Sequence, residues 1–304
     1  MRLHILHETY YRYSAPVALS QQLLHLTPRQ LPWQSCHWHR VEVEPKAGEF
    51  RRREDYFGNH TVNLLLAAPH ESLTVRAESE VTVAPRAQAA LAMPRLPWEL
   101  AAARLRAIDL PPLVEVSQYL FESPHVERSR ELADYAGKSF PRGRTVLEGA
   151  VDLMRRIHKD FRFDKTATSV STPLRQVLKQ RAGVCQDFAH LMTGCLRMLG
   201  LPARYVSGYL LTEPPPGMPR LTGADASHAW VSVWCGESGA PYHGWVDLDP
   251  TNNCVVDEFH VTLAWGRDFA DVTPMRGVIL GGGAQELAVR VTVSPRMEAA
   301  IESK

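Results

Sequence analysis

Cys185 is the residue whose surroundings first suggest chemistry. It follows Gly183 and opens a run in which Phe188, Leu191, Met192, Cys195, Leu196 and Leu199 form an apolar stripe at helical spacing, closed by Gly200 and Pro202. The helix is therefore expected to begin at about Cys185. A thiol there meets unpaired backbone N–H groups and the positive end of the helix dipole, and both favour a thiolate. The same N–H groups can hold a developing oxyanion. The plain alternative is a buried cysteine acting as a small hydrophobe.

Two further residues complete a catalytic set. His228 starts the apolar strand pattern His228 to Trp234 (HAWVSVW), and Asp249 ends the pattern Gly244 to Leu248 (GWVDL), with Pro250-Thr251 behind it. The turn CGESGAPYHG joins the two strands. Antiparallel pairing through it puts the start of one strand beside the end of the other, so that a carboxylate orients an imidazole and the imidazole deprotonates a thiol. Asp247 is the rival acid, because residues two apart face the same side of a strand.

Neighbouring residues fall into bland roles. His190 is too far round the helix to be the base and reads as a hydrogen-bonded structural residue. Asp187, with Gln186 in the first turn, is accounted for by the helix dipole. Trp230, Trp234 and Trp245 read as core or groove wall, with core preferred. Arg181 and Arg204 suit either a substrate carboxylate or a surface or loop-bracing role. His228, His243, Asp247, Asp249 and Cys235 have no metal-site spacing, and no metal or other cofactor is expected.

These residues need elements to hold them. Residues 1–85 read as a small antiparallel β unit, expected as a sandwich, with strands over His39 to Glu44, Thr61 to Leu66 and Leu73 to Val83 and with Tyr10, Tyr11 and Tyr13 covering a sheet. Residues 86–144 form a Pro- and Ala-rich helical connector with short helices at Pro112 to Phe121 and Arg128 to Ala136. Residues 145–270 form the catalytic core. It opens with a helix from Thr145 to His158 and continues with a short helix capped by Thr172 with Pro173 in its first turn. The Cys185 helix follows, then strands over Ala203 to Leu211, His228 to Trp234 and Gly244 to Leu248. Thr212 to Ala226 is a rim loop over the site, and residues 271–304 are a C-terminal β segment with a strand over Glu286 to Val293.

The strings GVCQDFAHLM, LGLPARYVSGYL, SHAWVSVW and GWVDLDPTNN resemble the core of the bacterial transglutaminase-like superfamily, the papain-like Cys-His-Asp enzymes. The β-rich start and the tail GRDFADVTPMRGVILGGGAQELAVRVTV resemble the branch with a characteristic N-terminal region. The resemblance implies an α+β fold: a papain-like transglutaminase core, its Cys-bearing helix packed on an antiparallel sheet, preceded by a small β-rich domain. It also implies Cys185 as nucleophile, His228 as base and Asp249 as orienting acid, and it prefers Asp249 to Asp247. The expected activity is cleavage of a peptide or protein amide through a Cys thioester, with hydrolysis preferred. True transglutaminase chemistry or a non-catalytic scaffold on the same fold are the alternatives.

Composition sets the outer limits. Lys and Arg number 34 against 33 Asp and Glu, a net charge of +1, which argues against a nucleic-acid-binding surface spread over the chain. No apolar run reaches membrane-spanning length. The 304 residues suggest roughly two domains. Five cysteines at long spacings, together with histidines and a glutamate in MRLHILHETYYRY where a secretory segment is apolar, lead to the expectation of a cytoplasmic protein with reduced thiols. Without a secretory route, the acceptor pattern Asn59-His60-Thr61 is a coincidence.

Overall fold

Alternation with a period of two builds the first strand, β1 (Arg2–Leu24), which buries Leu3, Ile5, His7 and Thr9 and turns Arg2 and Tyr10 outward. The structure is a computed structural model that describes residues 1–92, 96–106, 111–212, 227–237 and 243–296, with only the backbone described at 111 and 112. Strands β2 (Gln34–Glu44), β3 (Glu49–Glu54), β4 (His60–Leu66) and β5 (His70–Val83) join β1 in the order β2-β5-β1-β4-β3. The β1–β5 register shifts between Arg12 and Val17, around Ser14-Ala15-Pro16, where proline lacks a donor for the ladder. Where a sandwich of two sheets is expected, a single sheet bends on β1. Its two halves share a core that includes Val17, Leu24, Leu64, Leu66, Leu73 and Val75.

Short helices α1 (Ala87–Leu91), α2 (Trp98–Arg106), α3 (Pro111–Ser117) and α4 (Arg130–Gly137) follow. Next is α5 (Val146–Asp160), whose Thr145 and Glu148 form a reciprocal capping box and whose Val146, Leu147, Ala150, Leu153, Met154 and Ile157 are buried. The two-residue strand β6 (Arg162–Phe163) precedes α6 (Leu174–Gln180). Pro173, rather than Thr172, holds the cap position of α6, because the Thr172 hydroxyl instead accepts the Ser169 N–H at 2.9 Å. Strand β7 (Ala182–Gly183) then leads into α7 (Cys185–Met198).

The central helix α7 is buried all round from Asp187 to Arg197, not along one stripe. It packs on a five-stranded antiparallel sheet of order β11-β10-β9-β8-β12, formed by β8 (Ala203–Leu210), β9 (Ser227–Trp234), β10 (Trp245–Asp249), β11 (Cys254–Val255) and β12 (His260–Gly266), while α4, α5 and α6 contact it as well. Burying Phe188, Leu191, Met192 and Leu196 contributes about 1.5–3 kcal/mol each. Gly200, at φ +77°, ends the helix as the sequence signals.

The chain closes with α8 (Phe269–Val272), β13 (Met275–Gly281) and β14 (Gln285–Pro295). β13 and β14 both pair with β1, so the C-terminal segment completes the N-terminal sheet. Leu3, Ile5, Val81, Val83, Val291 and Val293 of that sheet enter the same hydrophobic core as α7. The first unit also closes the open edge of the core sheet. The Gln34 side-chain amide donates to Thr262 O at 2.8 Å and accepts from Thr262 N at 2.7 Å, and the Asn59 side chain does the same at Trp265, at 2.9 Å each way. Two side-chain amides thus stand in for a neighbouring strand. Asn59 is fully buried in doing so, which removes it as a modification site. Residues 213–226, which hold most of the expected rim loop, and 238–242 of the β9–β10 turn lie outside the described residues. Among the described residues no helix is long and apolar enough to cross a membrane.

Candidate active site

The thiol position is built by the parallel pair β6–β7, which brings Arg162 and Phe163 beside Ala182 and Gly183 just before the helix starts. Val184 is extended at the cap, and Asp187 Oδ2 accepts its N–H at 2.8 Å and the Thr168 hydroxyl at 2.6 Å. This capping carboxylate explains Gly183, since a Cβ there would stand 2.6 Å from Asp187 Oδ2. Burial raises the Asp187 pKa against the pull of those hydrogen bonds. Cys185 is half-buried at the first helical position, with the N–H groups of the first turn around it.

His228 and Asp249 come from β9 and β10, which pair antiparallel with Leu248 opposite Val231. The next step of that register sets Asp249 on the sheet face that carries His228 and Trp230. His228 Nε2 lies 2.7 Å from Asp249 Oδ2, and the Cys185 side chain hydrogen-bonds to the same ring. An imidazole has two nitrogens, so Nε2 on the carboxylate leaves Nδ1 for the sulfur. The structure therefore brings Cys185, His228 and Asp249 into one chain of contacts.

Asp249 is fully buried and accepts at both oxygens. Oδ1 takes the backbone N–H groups of Thr251 (2.9 Å) and Asn252 (3.1 Å), while Oδ2 takes His228, the Asn252 side-chain amide (2.7 Å) and His260 Nε2 (3.2 Å). Burial opposes the charge on Asp249, but the hydrogen bonds from His228 and His260 outweigh it and hold the carboxyl far below its ordinary range. Burial likewise opposes the charge on His228. The hydrogen bonds to Asp249 and Cys185 overcome that opposition and raise its pKa to about 10. The arrangement favours an imidazolium, which can release its Nδ1 proton to a leaving group.

Asn252 and His260 were not singled out from sequence. Asn252 had a readable signal, because Asp249 begins an Asx-type turn that returns the i+3 side chain to it. His260 had none, since its place depends on the register of β12 against β8, where His260 pairs with Leu210. Asp247, the rival acid, is 3.0 Å from Arg86 Nη1 in a buried ion pair, away from the imidazole.

The remaining residues fall into distinct environments. His190 is buried, accepts the Phe269 N–H at 3.1 Å and stacks on His125; burial holds its pKa well below the ordinary value. Trp230 is core, Trp234 is buried and Trp245 is half-buried. Arg181 caps α6 in the left-handed region and lies over the rings of Tyr135 and Phe161. Arg204 is not at the surface but buried between Trp245 and Trp265. Cys235 is buried at the far end of β9, and His243 is exposed in the turn beyond it. Among the described residues the donors that cluster are His228, Asp249 and His260, within 4.8 Å of one another. A cation there would have to displace the protons these imidazoles share with Asp249.

Residues 3–82 match the family model for the bacterial transglutaminase-like N-terminal region, and residues 133–250 match the transglutaminase-like superfamily. An "uncharacterized protein" of Mycobacterium tuberculosis strain H37Rv is 39% identical over 280 residues, covering 91% of this chain and 87% of that protein. A protein-glutamine gamma-glutamyltransferase of Pseudomonas aeruginosa is 32% identical over 127 residues, 41% of this chain and 18% of that protein. Among solved structures, a protein of Cytophaga hutchinsonii described as a "putative cysteine protease" covers 97% of this chain and 90% of its own, with a TM-score of 0.73 at 20% identity, and shares the fold. The chain belongs to the transglutaminase-like superfamily, in the branch that carries the bacterial N-terminal region.

Proposed function

We propose that the protein is a cysteine enzyme that cleaves amide bonds by hydrolysis. The observation that carries this reading is the hydrogen-bonded series Cys185–His228–Asp249 at the N-terminus of α7. Cys185 sulfur attacks the amide carbonyl carbon, and the oxygen takes the charge beside the first-turn N–H groups. The C–N bond breaks as His228 gives its proton to the departing amine, leaving a thioester on Cys185. Neutral His228 then takes a proton from water, whose oxygen attacks the thioester. The acid is released and the thiol restored. Asp249 holds the ring in the required tautomer and stabilises its charge. Peptide or protein amides are the substrates this chemistry fits.

Hydrolysis is preferred because water needs no binding site, whereas an amine acceptor needs one of its own beside the thioester. The second reading, transfer of a glutamine acyl group to an amine, is favoured by the likeness to the Pseudomonas aeruginosa gamma-glutamyltransferase. Incubation with glutamine-containing peptides and a labelled amine separates the two. Hydrolysis predicts release of ammonia or peptide fragments in excess of incorporated label. Label incorporation outpacing that release would establish transfer instead.

A further inference from the structure

The sheet face that carries His228 leads, at the other end of β9 and β10, into a cavity. It is a cleft of about 980 Å³ between the core sheet, the loops around Trp33 and Phe57, and α3 with the turn after it. Trp234 lines it, six residues along β9 from His228, which is about 20 Å of extended strand. The walls are aromatic, with Trp33, Phe57, Tyr119, Trp245 and Trp265 among them, and the cleft has the volume of a site for a ligand of ordinary small-molecule size.

Arg204 is the charge in this cleft that the fold leaves unbalanced. It is 8% exposed, and its Cζ lies 4.3 Å from the Trp245 ring centre and 3.8 Å from that of Trp265. Arg29 stands 3.6 Å from the same Trp265 centre, so the two guanidiniums lie on opposite faces of one indole. Arg29 donates to Asn59 Oδ1 and Phe57 O. Asp247, the acid that Arg204 feels, is paired with Arg86. Tyr119 is the polar neighbour of Arg204, whose Nε is buried with no hydrogen-bond partner. Among the described residues no carboxylate comes within ion-pair distance of Arg204. Glu115 and Glu237 also line the cleft, but both are exposed, where solvent screens them.

A buried guanidinium with a donor to spare, held between two indoles, has the shape and charge to receive the two oxygens of a carboxylate. Among the described residues that line the cleft Arg204 is the one guanidinium, and its planar fork matches a single carboxylate. Ring-lined walls select a flat, apolar body. We propose that the Arg204 cleft is a binding site, separate from the Cys185 centre, for a small organic monocarboxylate with an aromatic body.

The test titrates the full-length protein, labelled with nitrogen-15, with 2-naphthoate and with its uncharged analogue 2-naphthalenemethanol, and follows the indole N–H resonances of its seven tryptophans. Naphthoate is expected to move Trp245 and Trp265 but not Trp38 or Trp98, which do not line the cleft. The alcohol is expected to bind at least 10-fold more weakly. Arg204→Met should weaken naphthoate by about 10- to 100-fold, the worth of a charged hydrogen bond, with little effect on the alcohol, and Arg204→Lys should retain part of the affinity. Equal affinity for the two compounds overturns the proposal, as does the absence of any shift at Trp245 and Trp265 or unchanged naphthoate binding to Arg204→Met. If Arg204→Met does not fold, the charged and uncharged pair on the unaltered protein decides the matter.

Discussion

Asp249 and Asp247 stand two residues apart on one face of β10, yet only Asp249, 2.7 Å from His228 Nε2, reaches the imidazole, while Asp247 is bound 3.0 Å from Arg86. Their substitutions should therefore separate rate from stability. Asp249→Asn is expected to lower kcat by about 10²- to 10⁴-fold, because an amide there cannot hold the productive tautomer or stabilise the imidazolium. Asp247→Asn leaves the buried Arg86 uncompensated and should cost about 3–5 kcal/mol of stability, with turnover near normal. Kinetics and denaturant unfolding of the two variants check this. A larger rate loss in Asp247→Asn would reverse the assignment of the acid.

The pH profile follows from His228. Its pKa is raised to about 10 because the hydrogen bonds to Asp249 and Cys185 override the effect of burial. In the proposed mechanism it is the acid that protonates the leaving amine, so kcat/KM should show an alkaline limb near pH 10. Asp249→Asn removes the main upward influence while burial remains, so the limb should move to lower pH. Linkage has the same direction. The stability contributed by the raised pKa is complete below the ordinary value of 6.5 and disappears as pH rises through about 10. A limb that stays in place in Asp249→Asn would remove Asp249 from this role.

Alkylation should single out Cys185. Burial pushes up the pKa of Cys36, Cys195, Cys235 and Cys254, and Cys195 and Cys235 are closed off from solvent. Cys185 faces His228 at a helix N-terminus. Iodoacetamide at neutral pH is expected to modify Cys185 at least about 10-fold faster than the rest, with the adduct mapped by mass spectrometry. Cys185→Ala should abolish turnover and leave the unfolding midpoint nearly unchanged. Uniform labelling of the exposed thiols would favour a scaffold without turnover.

The sequence made the local parts of this arrangement legible and left the long-range parts hidden. Cys185, His228 and Asp249 sit at element ends marked by glycine, proline and alternating strands, so their positions follow from short-range pattern. The choice between Asp249 and Asp247 could not follow from a period of two. What separates the two in space is Arg86, from the helical connector, which pairs with Asp247. His260 reaches Asp249 only through the pairing of β12 with β8, a register that no local signal carries. The single bent sheet in place of the expected sandwich has the same origin, since β1 pairs with β5 along its first part and with β4 along its last, a long-range register. The all-round burial of α7 depends on α4, α5, α6 and the sheet closing over it from distant segments.

The coupling of the N-terminal unit to the core has its own test. Gln34 is almost fully buried, and its side chain satisfies both Thr262 N–H and Thr262 C=O on the edge strand β12. Gln34→Ala leaves the Thr262 N–H without a partner inside the protein and the Thr262 C=O with the Arg29 N–H alone, at a cost of roughly 1–3 kcal/mol. Because β12 also carries His260, loosening this edge should weaken the support of Asp249 as well. The expected result is a lower urea midpoint, together with a modest fall in kcat and little change in KM. Backbone amide exchange should accelerate at Thr262 and its neighbours on β12 while the β9–β10 pairing stays protected. An unchanged midpoint, with Thr262 as protected as before, would show that the Gln34 amide is not what closes this edge.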